Sequence, residues 1–231
     1  LGNINIPAPS PQEQTQIANY LDYKTGLIDA IIAQKEALIQ KLKEQRQAII
    51  NEAITKGLNP DVKLKDSGIE WLGDIPEHWE VVKLSYYINV VGGSTPSSSV
   101  PEYWDGEVNW VTTDDLGKLK TKNIKTTRRK ITEMGLNNCS ASLLPEDTVI
   151  MSSRAPIGHL GILRIEGCTN QGCKGLVPFK DNILSEFLYY FLLSSKKELE
   201  SLGTGSTFME ISATKLKDFK ILLPSKEEQK E

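Results

Sequence analysis

Residues 13–58 read EQTQIANYLDYKTGLIDAIIAQKEALIQKLKEQRQAIINEAITKGL, and this stretch decides the architecture. From 12 to 56 there is no proline, and Gly26 is the single glycine. Ser10 and Pro11 supply a cap and a first-turn proline, and Glu13 sits in the opening turn where the helix dipole favours it. Ile17, Leu21, Ile28, Ile31, Leu38, Leu42 and Ile49 recur on steps of four and three, the a/d stripe of a coiled coil. Lys24, Lys35 and Gln45 interrupt the stripe, while Leu27, Ile32, Ile39, Ile50 and Ile54 widen it. Gly57 is a natural stop, with Pro60 three residues beyond. Roughly 45 residues at about 1.5 Å each make a rod of roughly 65–70 Å. Ordinary domain helices are about 11–12 residues long, and a rod of this length needs a partner helix to cover its stripe. The spacing therefore predicts a spacer or dimerisation helix over 12–57.

On either side of that helix the chain repeats itself. IPAPSPQEQ (6–14) leads into the helix, and ILLPSKEEQ (221–229) stands near the end of the sequence. Ile6, Pro9, Ser10, Glu13 and Gln14 recur as Ile221, Pro224, Ser225, Glu228 and Gln229, and Leu1 as Leu216, all at an offset of 215 residues. Self-similarity at a fixed period reads as a repeated unit: globular domain, Pro-Ser-x-x-Glu-Gln, long helix. Residues 1–11 then form the end of one junction, and 225–231 the start of a second long helix. Residues 58–80 read as a connector, punctuated by Asn59-Pro60, Ser67-Gly68 and Ile75-Pro76, with Trp71 and Trp79 pinning it to the next domain. Over 81–224 short strand-like runs alternate with turns. VNWVTT (108–113), DTVIMSS (147–153), HLGILRI (159–165) and GLVPF (175–179) are strands, and 184–202 is a helix buried through Leu184, Phe187, Leu188, Phe191 and Leu192. The fold class is a mixed α/β domain plus one long coiled-coil-type α-helix.

Bulk properties exclude little beyond this. With 231 residues, 39% hydrophobic and 25% charged, the chain is ordinary for a globular protein. No apolar run spans a membrane and no secretory signal is visible. Three cysteines, Cys139, Cys168 and Cys173, suit a reducing cytoplasm better than a disulfide scaffold. A net charge of −3 argues against a protein coated in positive charge, not against a local basic patch.

Catalytic signatures are missing. There is no Gly-x-x-x-x-Gly-Lys-Ser/Thr loop and no His-Glu-x-x-His. NPDV (59–62) lacks the aromatic of an adenine methyltransferase motif, and His78 and His159 have no serine or cysteine elbow beside them. A zinc site at Cys168 and Cys173 would need His159 or Cys139 to join; buried thiols are the plainer reading.

Three segments can meet a polyanion. In KLKTKNIKTTRRK (118–130), Lys118, Lys120, Lys122, Lys125, Arg128, Arg129 and Lys130 gather with no acid among them. A solvated surface strand also fits such a run. Thr112 and Thr113 stand just before it, short enough to reach a thymine methyl, while Asp114 and Asp115 either accept from cytosine or cap a turn. Ser152, Ser153 and Arg154 come after a strand, where the arginine either forks onto guanine or phosphate or holds the turn. Thr204, Gly205, Ser206 and Thr207 lie in GTGSTF (203–208), a loop whose free N–H groups suit a phosphate as well as mere flexibility.

Together these blocks resemble the DNA-specificity subunit of type I restriction–modification systems. The 13–58 stretch resembles that family's conserved helical region, and KDSGIEWLGDIPEHWEVVKL (65–84) the usual start of its target-recognition domain. GGSTPS, YWDGEVNWVTTDDL, LLPEDTVIMSSRAPIGHLGI, TNQGCKGLVPF and GSTFMEIS with LLPSKEEQ resemble blocks within that domain. The resemblance implies two recognition domains held apart by two antiparallel helices, of which this chain shows one each. It implies a non-catalytic subunit that reads half of a split double-stranded DNA target with residues 81–224. It also implies methyltransferase subunits using S-adenosylmethionine, an ATP-driven motor-nuclease subunit, no cofactor in this chain, and self-pairing along the helix if the chain is a natural half. A coiled-coil assembly module without DNA readout is the competing function.

Overall fold

A computed structural model describes residues 9–179, 182–205 and 209–230. The chain divides into two compact units, one ending at Ile49 and one running from Ile50 onward.

The first helix, α1, runs unbroken over Pro11–Lys56. Its start is a reciprocal cap: Glu13 N–H donates to Ser10 Oγ at 3.4 Å, and Ser10 N–H and Oγ–H donate to Glu13 Oε2 at 2.9 and 2.7 Å. Thr15, Thr25 and Thr55, poor helix formers, return their hydroxyls to carbonyls one turn back. The helix ends where Gly57 takes φ +74°, a left-handed turn that a side chain would strain. Along the stripe, Ile17, Leu21, Ile28, Ile31, Leu38, Leu42 and Ile49 are each 48–59% exposed.

From Ile50 onward the chain builds a mixed α/β body. In chain order it contains β1 (Leu64–Asp66), β2 (Asp74–Pro76), β3 (Glu80–Lys83), β4 (Ile88–Gly92), β5 (Trp104–Val111), α2 (Thr113–Gly117), β6 (Asn123–Ile124) and β7 (Lys130–Ile131). Then come α3 (Glu133–Asn137), β8 (Val149–Ser152), β9 (Leu160–Leu163), β10 (Gly167–Thr169), β11 (Cys173–Pro178), α4 (Ser185–Ser194), α5 (Lys196–Ser201), α6 (Ala213–Asp218) and β12 (Lys220–Leu223). Five strands form the main sheet in the order β4-β11-β8-β9-β6, antiparallel except for β6 against β9. A second sheet has the order β10-β5-β7, and two pairs, β1-β2 and β12-β3, complete the body.

The period-two alternation of strands explains why β8 is buried throughout. Val149 and Met151 enter the larger core with Phe191, Leu188 and Trp79, while Ile150 enters a second core with Val111, Ile124 and Leu163. Residues 58–80, expected as a connector, carry β1 and β2 and place Trp79 in the larger core, so they belong to the same body. The expected single helix over 184–202 is two helices. Ser194 and Ser195 both donate their hydroxyls to the Phe191 carbonyl, at 2.8 and 2.7 Å, and α4 stops there before α5 resumes.

Candidate nucleic-acid interface

Two of the expected segments meet at the Asn170–Gly172 turn, and a third is linked to them through Glu210. A Cβ built on Gly172, in the turn between β10 and β11, would lie 3.0 Å from Thr113 Cγ2 and 3.8 Å from Arg154 Cδ. Arg154 bridges backbone to Glu210, and Glu210 in turn exchanges two 3.0 Å backbone hydrogen bonds with Thr204. Thr113 and Arg154 thus flank Gly172, and Thr204 is tied to Arg154 only through Glu210. Gly205 is exposed beside Thr204, with φ +125°. Ser206 and Thr207 lie outside the described residues.

Arg154 is held at one end only. Its Nε donates to Glu210 Oε2 at 2.9 Å, and the terminal guanidinium nitrogens have no hydrogen-bond partner among the described residues. The side chain is 43% exposed. Glu210 also faces Lys174, whose ammonium lies 3.6 Å from its other oxygen. Lys174 is 8% exposed, an unusual burial for lysine, and its ammonium gives the Glu210 carboxylate a second cationic partner. The neighbouring serines serve the fold. Ser152 donates to the Pro156 carbonyl at 2.7 Å and accepts from His159 N–H at 2.8 Å, and Ser153 donates to the Gly172 carbonyl at 3.3 Å. Both are buried. Burial, with the charge of Lys196 adding to it, pushes the His159 imidazole below its usual range.

Thr112 is engaged in the same way. Its hydroxyl donates to Asp115 Oδ2 at 2.6 Å and accepts from Asp115 N–H at 3.3 Å, a capping box that starts α2. Thr113, one residue on, faces Gly172 instead.

The basic run does not form one patch. Lys118 and Arg128 return to Asp114, at 2.9 and 3.3 Å. Arg129 lies 3.9 Å above the Trp104 ring and 5.5 Å from that of Trp110, Lys130 pairs with Glu107, and Lys122 lies 4.9 Å over Tyr190. Lys120 and Lys125 are exposed, with no ion pair among the described residues. A run contiguous in sequence thus splits among four neighbourhoods, because β6, β7 and the turns between them point successive side chains apart.

Sequence reasoning passed over the polar turn itself. Gln171 accepts a hydrogen bond from Thr95, Asn170 Oδ1 accepts from Gly172 N–H at 3.1 Å, and Ser94 N–H reaches the Thr169 carbonyl at 2.9 Å. Gly93 is what lets the two loops touch: a Cβ there would fall 2.1 Å from the Asn170 carbonyl oxygen. The signal was present in the paired polar runs GGSTPS and TNQG at strand ends. Cys168 and Cys173 are buried, and burial pushes both thiols up to about 12.

Comparison with known proteins shows the family. Residues 76–231 match the type I restriction modification DNA specificity domain. The chain belongs to that family. It is 39% identical over 160 residues to the MjaIX specificity subunit of Methanocaldococcus jannaschii, covering 68% of this chain and 37% of that protein. It is 30% identical over 233 residues to the putative MjaX specificity subunit of the same organism, covering all of this chain and 51% of that one. This specificity-family chain thus spans about half the length, or less, of these curated relatives. Among solved structures, the HsdS subunit of Thermoanaerobacter tengcongensis shares the fold with a TM-score of 0.57 at 22% identity, over 97% of this chain and 50% of that one.

Proposed function

We propose that this chain is the sequence-specific DNA-reading half of a type I restriction–modification specificity subunit. Residues 50–231 read a few base pairs of one half of a split double-stranded target, and α1 sets the distance to a second reading head. The observation that carries the reading is the Asn170–Gly172 turn, where an arginine fixed by Glu210 at its Nε keeps its terminal nitrogens without a hydrogen-bond partner among the described residues, with Thr113 on the other side of Gly172. Such a fork suits the paired acceptors of a guanine edge or a phosphate, and its anchorage on Glu210 and Lys174 orients it before binding. Family membership supports DNA as the ligand.

The lysines and arginines of 118–130, spread over several neighbourhoods, contribute phosphate contacts, each neutralised phosphate adding about 0.9 to the salt slope on duplex DNA. Docking of methyltransferase subunits, which would bring S-adenosylmethionine, and of an ATP-driven motor-nuclease subunit completes the complex. Chemistry then belongs to those partners, in the cytoplasm, and this chain contributes recognition. The exposed stripe of α1 suits pairing with a second long helix, in a second copy or in the remainder of a longer chain.

The test is fluorescence anisotropy with labelled duplex carrying the target, obtained by methylome sequencing of cells that express the system, in the presence of the methyltransferase partner. Binding is expected to weaken linearly with the logarithm of salt. Arg128→Ala should lower the slope by about 1. Arg154→Ala should weaken binding to the target more than to a scrambled duplex. Equal loss on both duplexes would remove Arg154 from base reading, and salt-independent binding would refute the DNA interface.

A further inference from the structure

The two copies of Pro-Ser-x-x-Glu-Gln fold alike, atom by atom. In the first, Glu13 Oε2 accepts from Ser10 N–H and Oγ–H, and Gln14 Nε2 donates to the Pro9 carbonyl at 2.8 Å. In the second, Glu228 Oε2 accepts from Ser225 N–H and Oγ–H at 3.1 and 2.7 Å, and Gln229 Nε2 donates to the Pro224 carbonyl at 3.1 Å. The inward halves of both side chains thus do identical work.

Their outward halves differ. Glu228 Oε1 accepts from the Trp79 indole at 3.0 Å and lies 2.8 Å from His78 Nε2. Gln229 Oε1 accepts from Leu184 N–H at 2.8 Å, while its Nε2 also donates to the Asn182 carbonyl at 2.7 Å. Gln229 is buried by these contacts. Glu13 Oε1 and Gln14 Oε1 have no partner among the described residues, and both side chains are exposed. One docking surface, built from His78, Trp79, Asn182 and Leu184, is therefore matched by two latches, and the second latch already fills it.

We propose that Pro9–Gln14 is a latch for a second recognition domain, one that presents an indole N–H and an adjoining backbone carbonyl and N–H as Trp79, Asn182 and Leu184 do here. Glu13 and Gln14 are positioning residues in this account. They fix the angle at which α1 leaves that other domain, as Glu228 and Gln229 fix the direction in which the chain departs beyond Ser225. A capped helix start alone would need neither a glutamine at this place nor an acceptor turned outward; the occupied copy shows what both are for. The inference rests on the two-headed reading of the function, but its test uses no DNA and no methyltransferase, so a failure of either is told apart from the other.

The reporter is the Trp79 indole N–H resonance in the full chain. Glu228→Ala with Gln229→Ala should shift it by vacating the surface; Glu228→Ala alone serves if the pair does not fold. Lys226→Pro with Glu227→Gln, which writes the first latch into the second position, should leave the resonance where it is. Adding unlabelled wild-type chain to the labelled, vacated one should return the resonance toward its original position, and a Glu13→Ala, Gln14→Ala chain should not. A chimera that shifts as far as the vacated variant overturns the proposal. So does recovery with both added chains, or with neither.

Discussion

The long helix has two fates along one apolar face. From Ile17 to Ile49 the stripe is about half exposed at each of its apolar positions, whereas Ile54, five residues further on, is 6% exposed and belongs to the core of Trp79 and Phe191. Residue type does not separate them, since isoleucine and leucine fill both. What differs is the supply of a facing surface: the last turns meet the body of their own unit, and the rest of the stripe meets nothing among the described residues of its own. A heptad pattern thus states a demand for burial and not where the demand is met.

The sharpest way to break that contrast is at Ile54. Ile54→Ala should destabilise the unit from Ile50 onward by about 2–5 kcal/mol, the usual cost of emptying a buried isoleucine site, read as a lower urea midpoint at unchanged slope. If Ile54→Ala costs no more than a substitution at Ile31, the two ends of the helix are equivalent and the comparison fails.

A similar contrast separates Arg154 from the serines before it. Ser152 and Ser153 are buried in and beside the central strand of the main sheet, and Arg154 emerges past its end. Arg154→Ala should cost about 1–3 kcal/mol of discrimination between target and non-target duplex, with little change in thermal stability. Ser152→Ala should do the reverse, since it strips the Pro156 carbonyl and the His159 N–H of a buried partner. Paired melting and binding curves for the two variants separate reading from scaffolding.

The sequence made some of this readable and hid the rest for physical reasons. Heptad spacing is local, so α1 and its end at Gly57 were plain, and so were the strand cores of β8, β9 and β11. The split of 184–202 turned on two serine hydroxyls competing for one carbonyl, a choice that helical periodicity does not register. Gly172 neighbours Thr113 and Arg154, and Arg154 pairs in turn with Glu210; no window of sequence contains these residues. The basic run differs in the opposite sense: its charges are adjacent in the chain, and Arg129 nevertheless stacks on two tryptophans while Arg128 returns to Asp114. Lys174 gave no sign of burial, because its role depends on Glu210 arriving from a distant loop.

Acid offers a finer probe of the core that receives Ile54. Burial pushes the Glu228 carboxyl up, but hydrogen bonds from Ser225, Trp79 and His78 together outweigh it and hold the group at about 2 against an ordinary 4.5. Because the folded value is the lower one, the stabilisation is complete above pH 4.5 and is lost as pH falls toward 2. Urea midpoints measured from pH 6 downward should therefore fall more steeply for the wild type than for Glu228→Ala, with the two curves converging at the acid end. Parallel curves would mean that the carboxylate contributes nothing to folding through its ionised form.

The smallest effect on stability is expected on the stripe, and it is the most informative. Ile28→Asp with Leu42→Asp replaces two side chains already 56% and 53% exposed, so the melting of the unit from Ile50 onward should stay within about 0.5 kcal/mol of wild type. Association along the helix should nonetheless be lost, because two carboxylates would have to be desolvated in a helix–helix seam. Sedimentation velocity across a concentration series distinguishes the cases. Wild-type chains that associate while the double variant stays monomeric would establish that the exposed stripe is an unmet interface, and that its exposure comes from the absence of a partner helix. If both chains sediment identically at every concentration, a second copy is not what covers the stripe.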